Sequence, residues 1–220
     1  MEPSPTPRVV VRGEVTLRVP PSHATLSITA TGRDRRQDRA LAQLGEHQQQ
    51  VTELLQRFSD RVTRHSTAGV SVRPELAEKN RVTGYVASVT TQVRIDDVDR
   101  VGEVAVAAAG LEGCSLWGPS WRLDRDAPEY GQARTEAISE ALSRARGYAA
   151  AVGSSVTGLV ELRDVGTGAM APMAFAAGGA RMRGAAAAAP ELDLEPALQE
   201  VHGAVEAVFT LSPPDLDALA

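Results

Sequence analysis

Four histidines, one cysteine and two tryptophans have the widest chemical reach in this 220-residue chain. His23, His47, His65 and His202 make no H-x-H or H-E-x-x-H spacing, so no single element offers two imidazoles to a metal ion. His202 and Glu206 lie four apart on a segment that alternates like a strand. Both then point to one polar face, as a solvated pair. His47 interrupts a helical apolar stripe and reads as a satisfied boundary histidine. Cys114 has no flanking sign of an activating base, so it reads as a buried structural thiol rather than a nucleophile. No G-x-S-x-G elbow, P-loop or S-x-x-K occurs. Gly166-Thr167-Gly168 lacks the third glycine and the following helix that a dinucleotide site requires. No catalytic, metal or cofactor residue is assigned, and no enzyme is expected. A hydrolase would need a pocket joining Cys114, a histidine and a carboxylate.

Three sets of residues could instead make contacts. Arg33, Arg35, Arg36 and Arg39 precede a helix and could meet an anionic surface. Asp34 and Asp38 are interleaved, which equally fits a solvated turn. Trp117 and Trp121 share one parity of a strand, as core residues or as a partner anchor. Met170, Met173, Phe175 and Met182 lie in a Gly/Ala-rich stretch. Such apolar, adaptable side chains suit a binding surface, and the composition equally suits disorder.

The charge argues against a nucleic-acid partner. Lys and Arg total 23 against 28 Asp and Glu, a net −5. Residues 1–110 carry 15 bases and 13 acids; residues 111–220 carry 8 and 15, or −7. Neither half is a basic footprint, and aromatic residues are only 4%, too few for a base-stacking platform. Attachment to a membrane surface through the arginine cluster is a minor alternative. One cysteine excludes an intrachain disulfide, and Met1–Pro5 shows no secretory leader, so a cytoplasmic location is expected.

Periodicity supplies the elements that would position these residues. Val9, Val11, Val15, Leu17 and Val19 alternate with polar residues, and Gly13 suggests a bulge. After Pro20-Pro21, Ala24, Leu26, Ile28 and Ala30 mark a second strand, expected antiparallel to the first across a short turn. Asp34 is placed as the cap of a helix over 34–59 bearing Leu41, Leu44, Val51, Leu54, Leu55 and Phe58. Val70 and Val72 lie in a strand that Pro74 ends. A polar tip at Glu78–Arg81 leads to the strand of Tyr85, Ala87, Val89, Val93 and Ile95. Helix 98–109, a strand near 114–123, a helix opened by Pro128 and closed by Gly153, and strands near 156–162 and 199–211 follow. The order ββαββαβαββ predicts an α+β fold, a mostly antiparallel sheet with helices on one face. Its other face, rich in Arg, Thr and Ser, is wet or paired with another chain. The two ββα runs suggest an internal duplication. The organisation expected is a lead-in over 1–7, one domain over 8–211 with a long flexible loop at 166–195, and an acidic tail at 212–220.

Some landmarks carry a resemblance. They are the Gly13 strand with Val19-Pro20-Pro21-Ser22-His23-Ala24, and Gly84-Tyr85-Val86-Ala87 after Ser71–Leu76. The Ala-rich helix from Glu136 to Gly153 and a variable loop before a Val-rich last strand complete the set. In order and spacing the chain resembles the SIMPL-domain family over residues 8–211. That family includes bacterial periplasmic immunogenic proteins and a mammalian adaptor that binds a Pelle-like kinase. The resemblance implies an α+β fold, assembly into homo-oligomers and no known catalytic residues. The expected protein is therefore a non-enzymatic, self-associating module. The alternative is an adaptor that binds another protein through 166–195.

Overall fold

The computed structural model describes residues 6–166, 168–169 and 192–215. They form an α+β fold. In chain order the elements are β1 (Arg8–Val19), β2 (His23–Asp34), α1 (Gln37–Arg57), β3 (Arg64–Ala77), β4 (Arg81–Ile95), α2 (Val101–Ala109) and β5 (Cys114–Arg122), then α3 (Pro128–Ala151), β6 (Val156–Asp164), β7 (Gly168–Ala169) and β8 (Gln199–Leu211). Met170, Met173, Phe175, Met182 and most of the expected 166–195 loop lie outside the described residues, as do 1–5 and 216–220.

The span 8–211 divides into two compact units. One holds 6–20, 125–166, 168–169 and 198–215; the other holds 21–124 and 192–197. The strands divide the same way, into antiparallel sheets ordered β1-β8-β6, with β7 beside β8, and β3-β4-β2-β5. This corrects the expected β1–β2 hairpin. β8 takes β1 along its whole length, from Arg8↔Thr210 to Val19↔Gln199, while β2 pairs with β4 and β5. Pro20-Pro21 interrupts the chain between them, and each strand finds its partners within its own sheet.

Both units follow one plan: strand, helix, edge strand, central strand. In the first these are β1, α3, β6 and β8, with sheet order β1-β8-β6; in the second they are β2, α1, β3 and β4, with order β2-β4-β3. The internal repeat is thus β-α-β-β, and the second copy interrupts the first between its opening strand and its helix.

The same device seats both helices. A Cβ at Gly13 would collide with the Ala137 carbonyl and the Ala141 amide of α3; one at Gly32 would collide with the Ala40 carbonyl and the Leu44 amide of α1. Glycine removes the side chain that would hold helix and strand apart. Gly13 is therefore a close-approach site and not a bulge, since its register with Val205 runs unbroken. Above that contact α3 buries Ala133, Ala137, Ala141, Ala145 and Ala149, an unbroken i,i+4 row. α1 buries larger side chains, Leu44, Val51, Leu54 and Leu55, with Ala40 and His47, while Leu41 turns outward.

Two local expectations also change. Asp34 does not cap α1: it ends β2, and its Oδ1 accepts the Arg36 N–H at 2.8 Å, turning the chain into the helix. Pro74 does not end β3 but lies within it, opposite Tyr85. β3 is an edge strand, where a residue without an N–H is tolerated.

Candidate functional site

The chemically capable side chains are dispersed. His47 is buried on α1, and its Nδ1 donates to the Thr31 carbonyl oxygen at 2.6 Å. The ring fits because Gly113, at φ +65°, has no Cβ to strike it. Cys114, half-buried at the start of β5, has its pKa pushed up by burial, which disfavours the thiolate. His202 Nδ1 lies 3.3 Å from Thr16 Oγ1, and Glu206 Oε2 lies 3.4 Å from Arg163. Neither Cys114 nor these histidines form a nucleophile–base pair. Among the described residues, no group of three or more His, Cys, Asp or Glu side chains could hold a metal ion.

One polar cluster escaped sequence reading because its members are far apart in the chain. His23 opens β2 and is buried; its Nδ1 lies 3.4 Å from Asp124 Oδ1 but out of hydrogen-bond alignment. Burial, and then the Arg94 guanidinium, hold its pKa below the ordinary 6.5. Arg94 donates from Nε to Asp96 Oδ1 at 2.6 Å and from Nη2 to Asp124 Oδ2 at 3.1 Å. The Asp124 N–H donates to Ser22 Oγ at 3.2 Å, and the Ser22 N–H donates to the Arg122 carbonyl at 2.8 Å. The set fastens the beginning of β2 to the ends of β4 and β5. It holds charge in place and has no free nucleophile.

The contact candidates sort differently. Arg33 makes a two-point pair with Glu75, at 2.7 Å and 2.5 Å, and Arg36 is paired with Asp38. Arg35 and Arg39 stay exposed. Two of the four positive charges are thus locally offset. The tryptophans do not share a face. Trp117 stands opposite Ser27 and Trp121 opposite Ala24, with a register shift between them. From Trp117 to Ser120 β5 advances three residues while β2 advances two, so an inserted residue at the Gly118-Pro119 step reverses the parity. Trp121 packs against the core of Leu26, Ile28 and Leu54, and Trp117 is 70% exposed on the opposite face.

Each unit also leaves a strand uncovered. α1 lies on β2 and β4 and leaves β3 bare; α3 lies on β1 and β8 and leaves β6 nearly bare. On the helix-bearing face of β3, Val70 and Val72 face Val89 and Ala87, yet Val70 is 67% exposed. Leu159 and Leu162 of β6 face Phe209 and Ala207, and Leu159 is 56% exposed. Sequence reading placed these residues in strands. Their exposure follows from helix position, for which they carry no signal. A cavity of about 370 Å³ lies where 192–196 crosses the start of α2, with Asp99, Asp193 and Glu195 in its wall. No helix among the described residues is long and apolar enough to cross a membrane.

The profile of SIMPL, described as "Protein of unknown function (DUF541)", matches residues 9–209. The chain belongs to the SIMPL family. The match spans both units, so the SIMPL domain here comprises the interrupted β-α-β-β plan and the copy within it. No curated protein matches this SIMPL chain. Three solved structures are similar. The uncharacterized protein TM1266 from Thermotoga maritima is 18% identical, covering 44% of this chain and 94% of its own, with a TM-score of 0.25. A hydantoinase/carbamoylase family amidase from Burkholderia ambifaria is 15% identical, covering 56% and 35%, with a TM-score of 0.29. An unknown protein from Galdieria sulphuraria is 11% identical, covering 86% and 83%, with a TM-score of 0.23. Scores this low carry no argument about the SIMPL chain.

Proposed function

We propose that this SIMPL protein is a non-enzymatic module that associates with copies of itself through its bare edge strands, β3 first. The observation that carries the reading is the edge of the second sheet. β3 is 14 residues long and exposed along nearly its whole length. An uncovered edge presents unpaired N–H and C=O groups to any strand that approaches. Between the bulge at Thr67/Gly69 and Pro74, the run Gly69–Arg73 carries no acidic residue or lysine, and Val70 and Val72 add an apolar stripe. Pairing with a second copy would satisfy the backbone and cover both valines. β6 is better guarded, with two register shifts and the charges of Glu161, Arg163 and Asp164. The dispersed histidines and the raised Cys114 pKa support the non-enzymatic part of the reading.

Light scattering coupled to gel filtration tests the reading at tens of micromolar. The expected result is a mass above one chain, falling to one chain in V70K/V72E with the fold retained by circular dichroism. A wild-type monomer, or an assembly indifferent to the double substitution, overturns it.

A further inference from the structure

We propose that the open face of the second sheet, away from α1 and α2, is a platform for a neutral oligosaccharide, with Trp117 as its stacking residue. The cross-strand registers put three neighbouring rows on this face. The first runs Ser66, Gln92, Ser27 and Trp117. The second runs Gly69, Thr90, Thr29 and Ser115, with Thr29 and Thr90 hydroxyls 2.9 Å apart. The third runs Ser71, Ser88 and Thr31. Each of these side chains reaches solvent, and Gly69 has open space above it.

The chemistry of the rows selects the occupant. They contain no charged side chain and no aliphatic one. A phosphate or nucleic-acid ligand would need cations, and a lipid or a protein core would need aliphatic contact. Hydroxyls and a carboxamide both donate and accept, which matches a ligand that is itself a chain of hydroxyls. An exposed indole supplies a flat apolar surface for the C–H face of a sugar ring, beside those polar groups. Three rows at two-residue spacing across four strands cover about 14 Å by 14 Å, room for a short oligosaccharide.

The first sheet shows that this neutrality is not simply what an open face in this protein looks like. The corresponding face there carries the ion pairs Arg12–Glu14, Arg18–Glu200 and Arg163–Glu206. Charges on the second face lie outside the three rows and flank them: Arg94 and Arg33 are tied up with Asp96, Asp124 and Glu75, while Arg64 and Arg73 on the edge strand are exposed, which is why the charged control is part of the test.

The test is titration of the full chain with chitohexaose and with cellohexaose, followed by tryptophan fluorescence and calorimetry, with a heparin hexasaccharide as the charged control. Saturable binding of a neutral hexasaccharide with a change in tryptophan emission is expected. W117A should weaken it at least about tenfold and Q92A by less. No saturation by either neutral sugar at millimolar concentration overturns the proposal, as does binding only of the charged control or binding unchanged in W117A. Loss of assembly in W117A without sugar binding would mark the face as a contact between copies and also overturn it. Association through β3 is read separately in V70K/V72E, so the two readings fail independently.

Discussion

The two units reach the same strand order with different interiors. In the first, α3 lies against its sheet through alanines and two strand glycines, Gly13 and Gly203. In the second, α1 stands on Leu44, Val51, Leu54 and Leu55, with a strand glycine at Gly32 and a loop glycine, Gly113, beside His47. An alanine face contributes little burial per residue but lets backbones approach closely; a leucine face contributes more and tolerates distance. A shared topology therefore does not imply shared vulnerabilities. Both units should be sensitive to atoms added at their close-approach glycines, and the second more than the first to atoms removed from its helix.

Substitutions can break or sharpen that contrast. The largest effect is expected from Gly13→Val, which forces side-chain atoms into the α3 backbone. A loss above about 4 kcal/mol is expected, beyond ordinary overpacking. Hydrogen exchange should show protection lost in β1 and α3 and kept in α1. Equal loss in α1 would show that the units do not respond separately. Next is Leu54→Ala, expected to cost about 2–5 kcal/mol in urea unfolding, whereas Ala141→Gly in α3 should cost about 1 kcal/mol. Similar costs at the two sites would erase the distinction.

A smaller effect belongs to the second unit alone and depends on pH. Arg94, Arg122, Asp96 and Asp124 face His23, whose folded pKa lies below its ordinary 6.5. The unfolded chain then binds the proton more readily. This contribution to stability is fully present above pH 6.5 and is lost as pH falls through the folded value. His23→Gln should flatten that part of the stability–pH curve; an unchanged slope would assign it to other groups. The smallest effect is at Gly45, exposed on α1 with no atom within 4 Å of a built Cβ. Gly45→Ala should stabilise by up to about 1 kcal/mol.

Much of the fold was legible because period two and period 3.6 are local signals. The alternation of Leu26 and Ile28 and the spacing of Val51 and Leu54 mark the elements they form. Partners were less legible. Nothing near Val11 indicates that Ala207 lies beside it, and the proline pair made a hairpin with β2 look natural. Trp117 and Trp121 were read on one face because an inserted residue in β5 leaves no trace in spacing alone. The hydroxyl rows are half legible: period two puts Ser27, Thr29, Ser88 and Thr90 opposite the apolar residues of their strands, but their meeting depends on register. The His23 cluster joins positions 23, 94 and 124, which no local window contains.

The pairing of β1 with β8 bears on how the chain is made. β1 is made about 190 residues before β8, the strand it pairs with. Most of the second unit, 21–124, can find its contacts while synthesis continues, but β1 and β6 flank a place that only β8 fills. Until then β1 is an unaccompanied strand with Val9, Val11, Val15 and Leu17 on one side, the kind of segment that chaperones hold and aggregates recruit. Closure of the first sheet therefore waits on β8. A chain cut before Gln199 should keep the second unit's order and leave β1 without a partner.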